Sequence, residues 1–237
     1  MIRTIGFDGD DTLWHNESLF ALSQDRFYTL LRPYTDGPVS AERLFAIEMS
    51  NLYLFGYGVK SFMLSMVETA IEVSEGRVTA AEIKTILDIG KELLDHPVEL
   101  LDGVREVIAA LDGRYELLLI TKGDLFHQES RIAGSGLGEF FDGIEIVAEK
   151  DPATYERIVQ RRGILPIEFM MVGNSVKSDI LPVLALGAQA IHIPYHITWQ
   201  HEVDVADEAQ RAAYWELASI AELVEQLAVV SSQSSVA

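Results

Sequence analysis

Ile5-Gly6-Phe7-Asp8-Gly9-Asp10-Asp11-Thr12-Leu13-Trp14 is the stretch that decides the fold of this chain. An apolar run (Ile2, Ile5, Phe7) stops at three carboxylates within four residues, Asp8, Asp10 and Asp11. Short and bounded by glycine, the run reads as a buried strand. Carboxylates about 4–6 Å apart repel and raise one another's pKa, so clustered acid at the end of a buried strand asks for a cation. A ligand set made only of oxygen suits a hard ion such as Mg²⁺. If the chain leaves the strand in an extended loop, Asp8 and Asp10 both reach one pocket at the strand's C-terminal edge, where open α/β sheets bind ligands. The competing reading is a solvated acidic turn that only ends the strand.

With 237 residues, 49% of them hydrophobic, the chain has enough material for a full core in one or two domains. Its 37 acidic and 18 basic residues leave a formal charge of −19. That balance argues against sequence-independent binding to nucleic acid or an anionic membrane, which needs basic surface. It also means that a phosphate site must be supplied with local positive charge. Cysteine is absent, which removes disulfides, thiol catalysis and cysteine zinc sites. A first strand expected from residue 2 leaves no room for a signal peptide, and no apolar run approaches 18 residues. A cytoplasmic protein is therefore expected. No internal repeat is evident, and Ser231-Ser232-Gln233-Ser234-Ser235-Val236-Ala237 reads as a flexible tail.

After Trp14 the pattern is helical to about residue 95. Leu19, Leu22, Phe27, Leu30 and Leu31 form one amphipathic stripe, ending near Pro33. A second helix is expected from Ser40-Ala41-Glu42-Arg43 to Gly56, a third from Lys60 to Ser74, and a fourth from Thr79-Ala80-Ala81-Glu82 to Asp95. Four helices in this space make a small bundle, with Phe45, Met49, Tyr53, Phe62, Met63 and Met66 mostly as its core. From residue 97 onward strands and helices alternate. The expected architecture is α/β, a doubly wound parallel sheet with an inserted all-helical domain. The expected domains are a core of residues 1–15 and 97–230, an insert of residues 16–96, and the tail 231–237.

The later strands also end in polar groups. Tyr115-Glu116-Leu117-Leu118-Leu119-Ile120 stops at Thr121-Lys122-Gly123-Asp124, and Lys122 is a positive charge on an acidic background. Ile144-Glu145-Ile146-Val147 leads to Lys150, followed by Asp151 and Pro152 as helix cap and first helical residue. Phe169-Met170-Met171-Val172 runs into Gly173-Asn174-Ser175-Val176-Lys177-Ser178-Asp179. The last strand, Ala188 to Ile193, precedes a loop with Tyr195, His196, Trp199, His201 and Glu202. His192, His196 and His201 match no common zinc spacing, so an ordered loop beside the sheet edge is the expected reading.

Asp8-x-Asp10-x-Thr12-Leu13 resembles the first motif of the haloacid dehalogenase superfamily of phosphotransferases. Thr121, Lys150 and Gly173-Asn174…Asp179 resemble its remaining motifs in order, each beside an apolar strand, and the resemblance covers nearly the whole chain. It implies a Rossmann-like core whose helical insert is a cap closing over the active site, with hinges near Trp14-His15-Asn16 and Pro97 to Asp102. Cap lysines Lys60, Lys84 and Lys91 are then substrate-contact candidates, or solvated surface residues. The implied activity is Mg²⁺-dependent hydrolysis of a small phosphomonoester. Asp8 attacks phosphorus, Asp10 serves as general acid and base, and Thr121 and Lys150 offset the charge. Gly9, Thr121, Lys122 and Lys150 would bind substrate, while Asp8, Asp10, Asn174 and Asp179 would hold Mg²⁺. Asn174 departs from the motif, where an aspartate is usual, so weaker metal binding is expected. Dehalogenase, phosphomutase and non-catalytic binding protein are the alternatives on the same fold. A Ser-His-Asp hydrolase lacks its G-x-S-x-G turn here. Specificity and oligomeric state are unreadable.

Overall fold

The structure, a computed structural model, describes residues 1–203 and 206–233. It divides into two compact units. One comprises residues 1–17, 98–122 and 131 onward, and the other comprises Ser18–Pro97 and Gly123–Ser130.

The first unit is built on six strands: β1 (Thr4–Phe7), β2 (Glu116–Lys122), β3 (Gly143–Val147), β4 (Phe169–Gly173), β5 (Gln189–His192) and β6 (Trp215–Glu216). All pair in parallel, in the order β3-β2-β1-β4-β5-β6. This is the doubly wound order, in which the chain reverses direction across the sheet between β1 and β4. Strand side chains alternate between two cores. Ile5, Phe7, Leu117, Leu119, Met170 and Val172 share one with Val107 and Ile108 of α5 (Val104–Leu111) and with Leu223 and Leu227. Leu118, Ile120, Phe169 and Met171 share the other with Tyr155 and Ile158 of α7 (Pro152–Arg162) and with Val183. Helices therefore cover both faces, which explains why the central strands are apolar runs rather than alternating ones.

The second unit holds α1 (Glu17–Leu31), α2 (Gly37–Phe55), α3 (Val59–Val73) and α4 (Ala80–Leu94). Its core is Phe27, Leu31, Leu44, Phe62, Met66, Ile86 and Ile89. Tyr53, read from its type as core, is instead 93% exposed. Helix α4 starts where the sequence places it, with Thr79 and Glu82 closing a capping box. Helix α2 starts three residues earlier than the Ser40 signal suggests. Asp36 accepts the Val39 N–H, Pro38 occupies the first turn, and the Ser40 hydroxyl donates back to the Asp36 carbonyl. Helix α6 (Leu125–Ser135) is shared, its residues from Arg131 on belonging to the sheet unit.

Past β4 the chain makes one wide π-type turn (Val176–Ile180) before α8 (Leu181–Leu184). Helices α9 (Glu208–Arg211) and α10 (Leu223–Gln233) complete the chain. Residues 231–233 of the expected tail thus belong to α10, and residues 234–237 lie outside the described residues. Among the described residues no helix is long and apolar enough to cross a membrane.

Glu202, in the loop after β5, braces two strand ends at once. Its carboxylate accepts from Ser175 Oγ and Ser178 Oγ, each at 2.6 Å, and pairs with the Lys122 ammonium at the end of β2. Lys122 also donates to Ser178 Oγ at 2.9 Å and lies 3.6 Å from Glu149. Burial pushes the Glu202 carboxyl up, but Lys122 and the two serine hydroxyls outweigh it and hold it down at about 2. A pKa depressed on folding adds stability above the unfolded value, and that stability is lost as pH falls through the folded one. Glu202→Gln is therefore expected to lower unfolding free energy at pH 7 by about 3 kcal/mol. The gap should close between pH 4.5 and pH 2. Chemical denaturation of both proteins across that range measures it; a gap independent of pH would contradict the linkage.

Candidate active site

Four strand ends meet at the place where the sheet reverses. Asp8 follows β1, Thr121 and Lys122 end β2, Lys150 follows β3, and Asn174 follows β4. Asp8 stays in line with the sheet, since its N–H donates to the Val172 carbonyl at 2.9 Å.

Lys150 joins the site from the loop before α7, whose N-cap is Asp151, accepting the Thr154 N–H at 2.7 Å. The Lys150 ammonium lies 2.5 Å from Asp8 Oδ1 and 2.7 Å from Asp179 Oδ1. All three side chains are buried. Burial alone would lower the lysine pKa, but Asp179 and Asp8 on either side hold it well above the ordinary value. Burial likewise pushes the Asp8 carboxyl up; Lys150 pulls it back, and Asp179 pushes it further. The wide turn after β4 brings Asp179 in, with Ser175 N–H donating to its Oδ2 at 3.0 Å. Gly173 makes room: a Cβ there would stand 2.3 Å from the Asp179 carboxyl carbon.

The turn after Asp8 is tight. The Gly9 carbonyl accepts the Leu13 N–H at 2.8 Å, and a Cβ on Gly9 would meet the Trp14 indole at 2.7 Å. Asp11 takes a left-handed backbone (φ 63°) and turns away from the site. Its carboxylate accepts the Asn16 and Glu17 N–H groups at the start of α1, and burial pushes it up to about 7. Asp10 is held by two groups, Trp14, which the sequence reading places only at a hinge, and Arg131, which it does not single out. Trp14 Nε1 donates to its Oδ1 at 2.7 Å, and Arg131 Nε stands 3.3 Å from the same oxygen. Arg131 lies on the buried stripe of α6 with Ile132 and Ser135, and that helical spacing is the one signal that sets it apart from a surface arginine.

Asn174 presents its amide to Thr12 Oγ1 at 3.2 Å, Asp8 Oδ2 at 3.2 Å and the Asp10 carbonyl oxygen at 3.3 Å. With its nitrogen turned to these oxygens, it donates to them. With its oxygen turned there, oxygens of Asp8, Asp10 and Asn174 face one another, an arrangement that a cation stabilises. An octahedral Mg²⁺ holds its oxygens at about 2.0–2.1 Å, so neighbouring ligands stand about 3 Å apart. The donor set therefore fits a hard divalent ion. It comprises one carboxylate, one carbonyl and one amide; among the described residues no group of three His, Cys, Asp or Glu side chains could hold a metal. Asp179, the other expected ligand, has both oxygens engaged by Lys150 and Ser175.

Thr121 Oγ1 is buried and has no hydrogen-bond partner among the described residues. A buried polar atom left in that state costs about 1–3 kcal/mol, which a bound acceptor would recover. The expected substrate contact Lys122 pairs with Glu202, as described above. The lysines of the helical unit are matched at the surface: Lys60 with Asp124 at 2.9 Å, and Lys84 and Lys91 with Asp88. The histidines are dispersed. His192 bridges Glu216 (3.0 Å) and the Asn174 carbonyl (3.1 Å), His196 stacks beside Tyr195, and His201 beside Trp199.

Residues 2–187 match the family described as haloacid dehalogenase-like hydrolase. The comparison with curated proteins gave no match. Among solved structures, the haloacid dehalogenase-like family hydrolase from Xanthomonas campestris is 40% identical, with a TM-score of 0.88 over 99% of this chain and 94% of that one. The HAD-hydrolase YfnB from Bacillus subtilis, bound to magnesium, is 19% identical, with a TM-score of 0.67 over 95% and 98% of the two chains. L-2-haloacid dehalogenase from Xanthobacter autotrophicus is 12% identical, with a TM-score of 0.63 over 96% and 98%. The last two share the fold. The family match and the Xanthomonas relative establish the rest: with its parallel core and inserted helical cap, the chain belongs to the haloacid dehalogenase-like hydrolases.

Proposed function

We propose that this enzyme is a Mg²⁺-dependent phosphatase acting on a small phosphomonoester through an aspartyl-phosphate on Asp8. The observation that carries the reading is the convergence of the Asn174 amide on Asp8 Oδ2 and the Asp10 carbonyl oxygen, a set whose oxygens a divalent cation would gather beside Asp8. Attack on carbon, the dehalogenase chemistry, needs no such ion.

Lys150 fixes Asp8 Oδ1, leaving the Oδ2 side toward Thr12 and Asn174. Asp8 attacks phosphorus in line; the ester bond breaks as the oxygen–phosphorus bond to Asp8 forms. The Thr121 hydroxyl and the Lys150 ammonium take the equatorial oxygens, whose negative charge the acidic chain otherwise repels. Asp10 gives its proton to the departing alcohol, then takes one from the water that cleaves the acyl phosphate. When bound, Mg²⁺ would neutralise charge between Asp8 and the phosphoryl group, held by Asp8, the Asp10 carbonyl and Asn174, with Asp179 supporting the site through Lys150. A small phosphorylated metabolite is the substrate class this site suits.

Phosphate release from a panel of small phosphomonoesters should require Mg²⁺, stop with EDTA, and fall by roughly 10³-fold or more in Asp8→Asn. Turnover that survives Asp8→Asn would remove the nucleophile from the reading, and Mg²⁺-independent release of halide from 2-haloacids would replace it with dehalogenation. Asn174→Asp adds a negative charge to the cation site, so calorimetry should show Mg²⁺ binding about tenfold more tightly. The metal-free variant should be less stable than the wild-type protein, because the hydrogen bond to Asp8 becomes a repulsion.

A further inference from the structure

We propose that Arg131 is a positioning residue for Asp10, setting the direction in which that carboxylate delivers its proton. The inference rests on the acid/base role of Asp10 given above.

Arg131 is a buried cation, its side chain 6% exposed. A buried guanidinium persists only where its charge and its N–H groups are matched. Here Nη2 donates to the His15 carbonyl at 2.7 Å, the guanidinium lies over the Trp14 ring at 5.9 Å, and Nε stands 3.3 Å from Asp10 Oδ1. Every one of these contacts falls on the turn of residues 10–15. The arginine fork is thus anchored to the turn at His15 before it meets Asp10, which a flexible lysine ammonium would not reproduce.

Trp14 Nε1 donates to that same Oδ1. A carboxylate is planar, so one hydrogen bond and one ion pair converging on a single oxygen also orient the other. Proton transfer needs a heavy-atom distance of about 2.6–3.2 Å in the reacting complex, and a carboxylate free to rotate would spend little time there. The Nε–H is buried without an aligned acceptor, so the ion pair is still short of its best geometry. Catalytic hydrogen bonds often tighten only when substrate is bound.

The test uses leaving groups. p-Nitrophenolate departs with little help from an acid, whereas an unactivated alkoxide must be protonated. The quantity compared is kcat/KM, which covers only the steps up to alcohol release, for p-nitrophenyl phosphate and phenethyl phosphate with Mg²⁺. In Arg131→Met, kcat/KM for the phenethyl ester should fall by about 10- to 100-fold and that for the nitrophenyl ester by less than about 3-fold. Arg131→Lys, which keeps the charge, should recover part of the loss and serves if the methionine variant does not fold. Independently of activity, the Trp14 indole N–H resonance of ¹⁵N-labelled protein should move upfield in Arg131→Met, toward its position in Asp10→Asn. An equal fall for both esters, or an indole resonance that stays in place, would overturn the positioning role while leaving the phosphatase reading intact. Wild-type protein that cleaves neither ester would overturn both.

Discussion

A single buried ammonium, that of Lys150, stands between two buried carboxylates, and the site is arranged around that pairing. Removing the ammonium would leave two carboxylates uncompensated in a buried interior, a loss of about 3–5 kcal/mol, whereas removing either carboxylate would leave a balanced pair. The constraint reaches into the backbone. Asp179 arrives by way of a wide turn after β4 and occupies the space that a side chain on residue 173 would need. Lys150 is carried on a loop kept short by the Asp151 cap of α7. With Asp10 and its partner Arg131 included, three carboxylates face two cations, so the ionised site is one charge negative. That residue of negative charge is what the proposed divalent ion would meet. An aspartate at 174 would double it and set a second carboxylate next to Asp8.

Structural relatives show that the fold alone does not select the chemistry. A magnesium-bound hydrolase and a haloacid dehalogenase both superpose over nearly the whole chain. The chemistry of such a protein has to be argued from the groups at its strand ends rather than from the fold.

Much of this was legible in the sequence because period and punctuation act locally. The apolar run before Asp8, the Asp151-Pro152 helix start and the Thr79–Glu82 capping box all sit in the structure where their chemistry places them. The pairings were not legible, because they depend on what is distant in sequence and near in space. Lys122 looks like a spare positive charge until Glu202 is found beside it. Arg131 looks like an ordinary helix arginine until the turn of residues 10–15 folds beneath it. Tyr53 has the composition of a core residue and faces water, since nothing in its own helix says which side the neighbours will cover.

The strand order has a consequence for how the chain is made. Thr4 must pair with Glu116 on one side and Phe169 on the other, so a central strand of the sheet is made before the other five and waits for both of its neighbours. At about 5–20 residues per second, β1 waits roughly ten seconds or more for its second neighbour. The helical insert, whose contacts are local, has time to fold in that interval. An apolar strand waiting in water is an aggregation hazard, and charges at its flank are the usual protection. Asp8, Asp10 and Asp11 occupy that flank, so the groups that build the site also guard the nascent strand until Lys150 arrives.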